Sequence, residues 1–106
     1  QLARLFRNLL DNAVKYSRDG GHVKAEVYTE GGRPVVRVSD EGVGIAAVDL
    51  PHIFKRFYRA DSSRSSAGFG LGLAIVKSIA DAHNADINVA SVPGEGSTFT
   101  VTFPKA

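Results

Sequence analysis

Apolar residues near the start of the chain recur at the spacing of an amphipathic helix. Positions three and four residues apart share one face of a helix. The pattern therefore predicts a helix from Gln1 to Ser17, ended by the turn signal of Asp19, Gly20 and Gly21. The apolar face would consist of Leu2, Leu5, Phe6, Leu9, Leu10, Ala13 and Val14.

Four other segments alternate apolar and polar residues, which is the period of a β-strand. In the first segment the side chains of Val23, Ala25, Val27 and Thr29 would form the buried face, and those of His22, Lys24, Glu26 and Tyr28 the wetter face. A turn at Gly31-Gly32 leads into a second strand over Val35–Val38. Two later strands would lie around Ile87–Ser91 and Phe99–Phe103, joined by a turn over residues 93–97.

A glycine-rich segment precedes the second long helix. Gly68, Gly70 and Gly72 lead into an apolar run of helical period that should end near His83-Asn84. Free N–H groups at a helix start favour an anion such as phosphate, although a plain loop-to-helix junction is an open alternative. Residues 61–70 are rich in serine and glycine, and we expect them to form a mobile lid.

Together these elements predict the fold class. A short helix within residues 50–61 brings the count to three helices and at least four strands, most of them in antiparallel hairpins. We expect an α+β two-layer sandwich with the helices on one face of the sheet.

Composition narrows the function only slightly. With 106 residues the chain is expected to form one globular domain, and a net charge of +2 is too small to indicate nucleic acid. The absence of cysteine excludes disulfides, thiolate metal sites and a cysteine nucleophile. No apolar run is long enough to span a membrane.

A polar stripe beside the apolar face of the first helix is the first candidate site. Asn8, Asn12, Lys15 and Tyr16 lie at helical neighbour spacings. Asparagine is a poor helix former, but its amide oxygen can ligate Mg²⁺, and a nearby lysine can meet phosphate. A polar flank that faces water is the alternative.

The second candidate is the loop that follows the second strand. Asp40 at the strand end, followed by Gly42 and Gly44, could present a carboxylate to an exocyclic amine such as that of adenine. An ordinary turn is the alternative. Among the cations farther on, Arg56, Arg59 and Arg64 could reach the phosphates of a ligand. Binding of single-stranded nucleic acid is less favoured, because no basic stripe continues from them.

Five segments resemble, in order and spacing, the motifs of bacterial sensor histidine kinases. They are LFRNLLDNAVKYS (N box), DEGVGI (first glycine box), IFKRFYRAD (F box), GFGLGLAIVKSIADAH (second glycine box) and GEGSTFTV (closing segment). The resemblance implies the Bergerat ATP-binding fold, with a mixed, mostly antiparallel sheet, over residues 1–106. It also implies a catalytic and ATP-binding domain that lacks its phosphoacceptor domain and is truncated before the first helix.

The resemblance assigns a role to each matching residue. Asn12 would ligate Mg²⁺ with the help of Asn8, and Asp40 would accept a hydrogen bond from the adenine amino group, with Thr98 helping through water. Lys15 would contact phosphate, Tyr16 would pack on adenine, and Gly42 and Gly44 would let the backbone close over the base. Gly68, Gly70 and Gly72 would cradle the triphosphate, with Arg64 and Arg56 near its end. The further nucleotide-binding residues would be Ile45, Phe69, Leu71 and Leu73.

The implied function is transfer of the γ-phosphoryl group of ATP to a histidine on a separate domain in two-component signalling. Partners would be that acceptor domain and, through the full-length kinase, a response regulator; no contact with nucleic acid or membrane is expected. The domain would be cytoplasmic, in a parent that is an inner-membrane sensor, and would not phosphorylate itself. None of His22, His52 and His83 precedes an acidic residue as the family's acceptor histidine does.

An ATPase of the gyrase or Hsp90 type and a nucleotide-binding regulatory module are the alternatives on the same fold. Those ATPases resemble one another in carrying a glutamate one turn before the metal asparagine, where this chain has Asn8. An amide cannot take a proton from water, which favours phosphotransfer.

The chain departs from the family pattern at three places. Ala67 replaces a lid glycine, and Asn84-Ala85 stands where many members have Gly-Gly. The strand that usually precedes the first helix is missing, so we expect one edge of the sheet to be uncovered.

Overall fold

The first helix forms as its apolar period predicts. The computed structural model describes residues 2–17, 20–55 and 72–105. Helix α1 runs from Leu2 to Tyr16 and buries Leu5, Leu9 and Ala13. Gly20 follows with a φ of 77°, a left-handed conformation that glycine adopts without strain, as the turn signal indicated.

In the described part of the chain the sheet contains four strands; the first has the predicted length, and the other three are longer than their sequence patterns. They are β1 (Val23–Glu30), β2 (Arg33–Asp40), β3 (Asp86–Val92) and β4 (Gly96–Thr102). Their spatial order is β1-β2-β4-β3, and every pairing among the described strands is antiparallel. The prediction of a mostly antiparallel sheet is confirmed.

The second long helix, α2, spans Gly72–Ala82. It ends where predicted: Asn84 has a φ of 57°, and the N–H of Ala85 donates to the carbonyl of Ala80 at 2.8 Å. This is the left-handed residue that commonly closes a helix. Within the predicted short helix over residues 50–61, the structure describes only a 3-10 turn, Leu50–His52, and residues 56–61 lie outside the described part.

Both helices pack on one face of the sheet, so the predicted two-layer sandwich is confirmed. Register partners such as Val38 and Phe99 point to this face and join the core. From the helices, the core receives Leu5, Leu9, Ala13, Leu73, Val76, Ile79 and Ala80. The core therefore lies between the two helices and the central strands β2 and β4.

The prediction that β1 has a continuous buried face was wrong beyond its first residue. Val23 packs against the core, but Ala25 is exposed and Val27 is 67% exposed. Their register partners show that both face the helix side of the sheet. Because β1 is an edge strand, the helical layer does not cover its far half. On the opposite face Val35 is buried, beside its register partner Tyr28.

None of the helices in the described part of the chain is long and apolar enough to cross a membrane.

Candidate functional site

A buried carboxylate lies at the end of β2. Asp40 is only 8% exposed, and its Oδ1 accepts a hydrogen bond from the N–H of Gly42 at 2.9 Å. Burial raises the pKa of Asp40, while hydrogen bonds from the backbone of Gly42 and Ser97 partly lower the pKa again. Ionisation of this buried carboxyl group is costly, so the carboxylate gains from any further hydrogen-bond donor.

The glycine loop after Asp40 joins this carboxylate to the end of α1. Ser17 and Gly42 form a β-bridge, and the N–H of Val43 donates to the carbonyl of Tyr16 at 3.3 Å. A Cβ at Gly42 would collide with the Tyr16 carbonyl and would lie 2.7 Å from Oδ1 of Asp40. Only glycine allows this close approach, which brings the polar stripe of α1 to the same end of the sheet as Asp40.

The other side of the glycine loop rests on the turn between β3 and β4. Gly44 has a φ of 75°, and a Cβ there would collide with the backbone of Val92. The N–H of Gly94 donates to the carbonyl of Val43 at 2.9 Å. The side chain of Ile45, the last residue of the motif, is buried in the core. The loop is thus held between α1 and the β3–β4 hairpin.

The polar stripe of α1 is partly enclosed. Asn8 and Asn12 are half-buried, and Nδ2 of Asn8 is buried with no hydrogen-bond partner among the residues that the structure describes. Lys15 is exposed, with its Nζ 5.6 Å from the centre of the Tyr16 ring. The described residues contain no group of three or more His, Asp or Glu side chains that could hold a metal ion.

A pair of half-buried amides one helical turn apart fits Mg²⁺, which needs few protein ligands. Mg²⁺ usually keeps several waters and is held by one or two protein oxygens together with substrate phosphates. The unpartnered Nδ2 of Asn8 is a hydrogen-bond donor, so it cannot ligate the ion itself but suits an acceptor such as a phosphate oxygen or a water molecule. Asn12 and Asn8 are therefore the described residues best suited to an ion that also binds phosphate.

Thr98 does not lie beside Asp40, and its assignment is corrected. Thr98 is the register partner of Ser39, and its hydroxyl donates to Oγ of Ser39 at 3.3 Å. Because neighbouring residues of a strand point to opposite faces, Thr98 lies on the face of the sheet away from the helices. Ser97 is the register partner of Asp40 and is 7% exposed.

Sequence reasoning could have found Ser97. Phe99 and Val101 mark the inward face of β4, and Ser97 has the same parity. Ser91 was also missed as a functional residue, although it contacts both Ile45 and Ser97. No signal in the sequence indicates that contact, because Ser91 lies 46 residues from Ile45.

The start of α2 is described only in part. Apart from its chain neighbours and the backbone of α2, no atom of the described residues lies within 4 Å of the point where a Cβ on Gly72 would stand. Leu73 is fully buried, so its side chain belongs to the core and only its backbone remains for a ligand. The remaining predicted phosphate-side residues, Arg56, Arg64, Gly68, Phe69, Gly70 and Leu71, lie outside the described residues.

The fold is that of a large ATPase family. Residues 1–106 match the family described as histidine kinase-, DNA gyrase B- and HSP90-like ATPase, and the chain belongs to it.

Within that family the similar proteins are sensor histidine kinases. The chain is 45% identical over 105 residues to the sensor histidine kinase YkoH of Bacillus subtilis, covering 97% of this chain and 23% of YkoH. It is also 45% identical to the sensor-like histidine kinase SenX3 of Mycolicibacterium smegmatis, covering 98% of this chain and 28% of SenX3. The chain thus spans about a quarter of the length of these relatives.

Solved structures of histidine kinases are similar to the chain in fold and sequence. The mycobacterial sensor histidine kinase MprB superposes with a TM-score of 0.85 at 35% identity, covering 97% of this chain and 71% of that one. Full-length ShkA in complex with AMPPNP gives a TM-score of 0.83 at 31% identity, covering 99% of this chain and 21% of that one. The chain is accordingly a histidine-kinase-type ATPase domain.

Proposed function

We propose that residues 1–106 form the ATP- and Mg²⁺-binding catalytic domain of a sensor histidine kinase, which donates the γ-phosphoryl group to a histidine on a separate domain. Membership of the ATPase family and similarity to sensor histidine kinases support the proposal. The observation that carries it is the position of Asp40: a buried carboxylate beside a glycine loop that is tied to the asparagine-bearing helix.

Asp40 recognises the base. An ionised carboxylate is only a hydrogen-bond acceptor, so it matches the exocyclic amino group of adenine and not the carbonyl oxygen of a 6-oxo purine. The N–H of Gly42 fixes the orientation of Oδ1. A pocket built to bind an amine discriminates strongly against a ligand that lacks it, because the buried acceptor is then left unpaired.

Tyr16 lies at the end of α1, where the loop after Asp40 contacts its carbonyl, and it would pack on the adenine ring. Gly42 and Gly44 allow the backbone to approach the base without the collisions that a Cβ would cause. These assignments place the base between the end of α1 and the glycine loop.

The polar stripe of α1 would bind the phosphates and their metal ion. Asn12, assisted by Asn8, would hold Mg²⁺ through amide oxygens, and exposed Lys15 would meet a phosphate oxygen. The bound ion would screen the negative charge of the triphosphate. We further propose Arg56, Arg64 and the glycines Gly68, Gly70 and Gly72 as phosphate contacts, with Phe69, Leu71 and Leu73 supplying neighbouring backbone.

In phosphotransfer this domain would position the γ-phosphoryl group and would form no covalent bond to it. An imidazole nitrogen of the acceptor forms a bond to the γ-phosphorus while the bond between that phosphorus and the ADP oxygen breaks. Water is a poor competitor, because the amide of Asn8 cannot take its proton. We therefore expect little ATP hydrolysis and no self-phosphorylation by this chain alone.

The proposed function includes the chain's partners and location. The histidine domain would belong to the same kinase, and a response regulator would receive the phosphoryl group from it. The domain would lie in the cytoplasm, in a parent that is an inner-membrane sensor.

Isothermal titration calorimetry tests nucleotide binding directly. The chain should bind ATP and ADP in the presence of Mg²⁺, and Asp40→Ala should lose at least about tenfold in ATP affinity. Asp86→Ala is the matched control, because Asp86 is a strand-terminal aspartate that contacts Arg33 at the far side of the sheet. Absence of ATP binding by the unaltered chain would refute the proposed function. Equal ATP affinities for Asp40→Ala and Asp86→Ala would refute the role of Asp40.

A further inference from the structure

We propose that Ser91 is a positioning residue of the nucleotide pocket: its hydroxyl holds the glycine loop and turns the Ser97 hydroxyl so that oxygen lone pairs face the adenine amino group. The inference rests on the proposed ATP binding. Ser91 itself lies on β3 and is not among the residues proposed to touch the base.

Three groups surround Oγ of Ser91. The N–H of Ile45 donates to it at 2.6 Å, the carbonyl oxygen of Gly96 lies at 3.1 Å, and Oγ of Ser97 lies at 2.9 Å. Ile45 is the last residue of the glycine loop after Asp40, and Gly96 and Ser97 are the first residues of β4. One hydroxyl therefore links the glycine loop to two strands of the sheet.

The hydrogen-bonding capacity of a serine hydroxyl determines the direction of each bond. A hydroxyl has one proton to donate and two lone pairs that can accept. The Ile45 N–H can only donate, and the Gly96 carbonyl can only accept, so the proton of Ser91 goes to Gly96. The remaining lone pair of Ser91 must then accept the proton of the Ser97 hydroxyl.

The Ser97 hydroxyl is thereby converted into an acceptor toward the pocket. Its only proton points at Ser91, so its lone pairs are what it can offer elsewhere. Ser97 is the register partner of Asp40, whose carboxylate is also an acceptor and receives a backbone hydrogen bond from Ser97. Two neighbouring acceptors match the two hydrogens of an amino group, directly or through a water molecule, and repel a carbonyl oxygen.

Ser91 also fixes the position of the loop. Its bond to Ile45 lies at the end of the motif, while the bond from Gly94 to the carbonyl of Val43 lies two residues earlier. Gly44, between them, packs against the backbone of Val92. Removing the Ser91 hydroxyl leaves the Ile45 N–H without its acceptor and frees the Ser97 proton.

The test compares ATP with inosine triphosphate, which has a carbonyl oxygen in place of the adenine amino group. Ser91→Ala should lower the preference for ATP over inosine triphosphate about fivefold, because the Ser97 hydroxyl can then donate to the carbonyl. Hydrogen exchange of the Ile45 amide, measured by NMR without nucleotide, should accelerate about tenfold. Ser91→Thr keeps the hydroxyl and should restore both values.

Ser39→Ala is the matched control. It removes a half-buried strand serine whose hydroxyl bonds Thr98 on the opposite face, and it should leave both values unchanged. If Ser91→Ala weakens ATP and inosine triphosphate equally, Ser91 only stabilises the fold and the proposal is wrong. Unchanged Ile45 exchange in Ser91→Ala also overturns it. If the unaltered chain binds no ATP, the proposed function fails, and the exchange measurement still decides whether Ser91 holds the loop.

Discussion

Asp40 and Ser97 are direct partners across β2 and β4, and both side chains are buried on the helix-facing side of the sheet. A hydrogen bond from the Ser97 backbone lowers the pKa of Asp40, although it does not outweigh the effect of burial. The pair places an acceptor-rich surface at the sheet end where the glycine loop and α1 meet. We infer that this pair, and not Asp40 alone, defines the base-recognition site.

The first prediction separates Ser97 from Thr98. Ser97→Ala should weaken ATP binding about three- to tenfold, because it removes an acceptor beside Asp40. Thr98→Ala should change ATP affinity by less than about twofold, since Thr98 bonds Ser39 on the other face. Calorimetry measures the ATP affinity of both variants. A larger loss of affinity for Thr98→Ala than for Ser97→Ala would restore the original assignment of Thr98.

The second prediction concerns the glycines. Gly44→Ala should lower the free energy of unfolding by at least about 2 kcal/mol, because alanine is strained at a φ of 75° and its Cβ collides with Val92. Gly72→Ala should raise the free energy of unfolding by about 0.5 kcal/mol, since none of the described residues crowds that position at the start of α2. Urea unfolding of both variants measures this difference.

Because Gly72→Ala should fold normally, its effect on the ligand can be read without ambiguity. A loss of ATP affinity in this variant would support a close approach of phosphate to the α2 backbone. Unaltered ATP affinity would remove Gly72 from the proposed site.

The third prediction concerns the amides of α1. Asn12→Ala should weaken binding of ATP with Mg²⁺ about tenfold or more, but should change binding of ATP in EDTA by less than about twofold. The physical reason is that the lost amide oxygen would contact the ion and not the nucleotide. Equal losses with and without Mg²⁺ would contradict the metal role and would indicate packing of α1.

The fourth prediction follows from the raised pKa of Asp40. The folded chain binds a proton at Asp40 more tightly than the unfolded chain, whose aspartate has a pKa near 3.8. The stabilisation by this proton is complete below about 3.8 and is lost as the pH rises through the folded pKa. Asp40→Asn carries no titrating group at this position and is the reference.

Unfolding free energies of the unaltered chain and Asp40→Asn should therefore diverge as the pH rises above about 3.8. The unaltered chain should lose stability relative to Asp40→Asn as the pH rises, and the other carboxyl groups, present in both, should cancel. A relative gain in stability with rising pH would mean that hydrogen bonds, and not burial, dominate the Asp40 environment.

Most of the fold could be predicted because local pattern and tertiary packing agree. The period of α1, the left-handed Asn84 after α2 and the alternation in β4 each match the structure. The pattern failed at β1, where alternation predicted a buried face. Alternation shows which residues share a face of the sheet. Whether that face is buried depends on the helices that pack over it, and Val27 on the edge strand remains exposed.

Only the parts of the site that depend on a sequence motif or on the alternation of a strand could be predicted. Asp40 was located by its position at the strand end, and the structure places it at the end of β2. The alternation of β4, counted back from Phe99, gives the inward position to Ser97 and not to Thr98. Ser91 could not be found at all, since its contacts with Ile45 and Ser97 exist only after the sheet and the glycine loop have folded together.

The most direct test of the kinase assignment is phosphotransfer from γ-labelled ATP. The chain, joined to the histidine-bearing domain of the proposed full-length kinase, should place acid-labile, base-stable label on that histidine, and Asp40→Ala should abolish most of the labelling. The chain alone should incorporate no label and should release inorganic phosphate only slowly. Rapid ATP hydrolysis by the chain alone, without labelling of the joined histidine, would contradict the account and identify an ATPase instead.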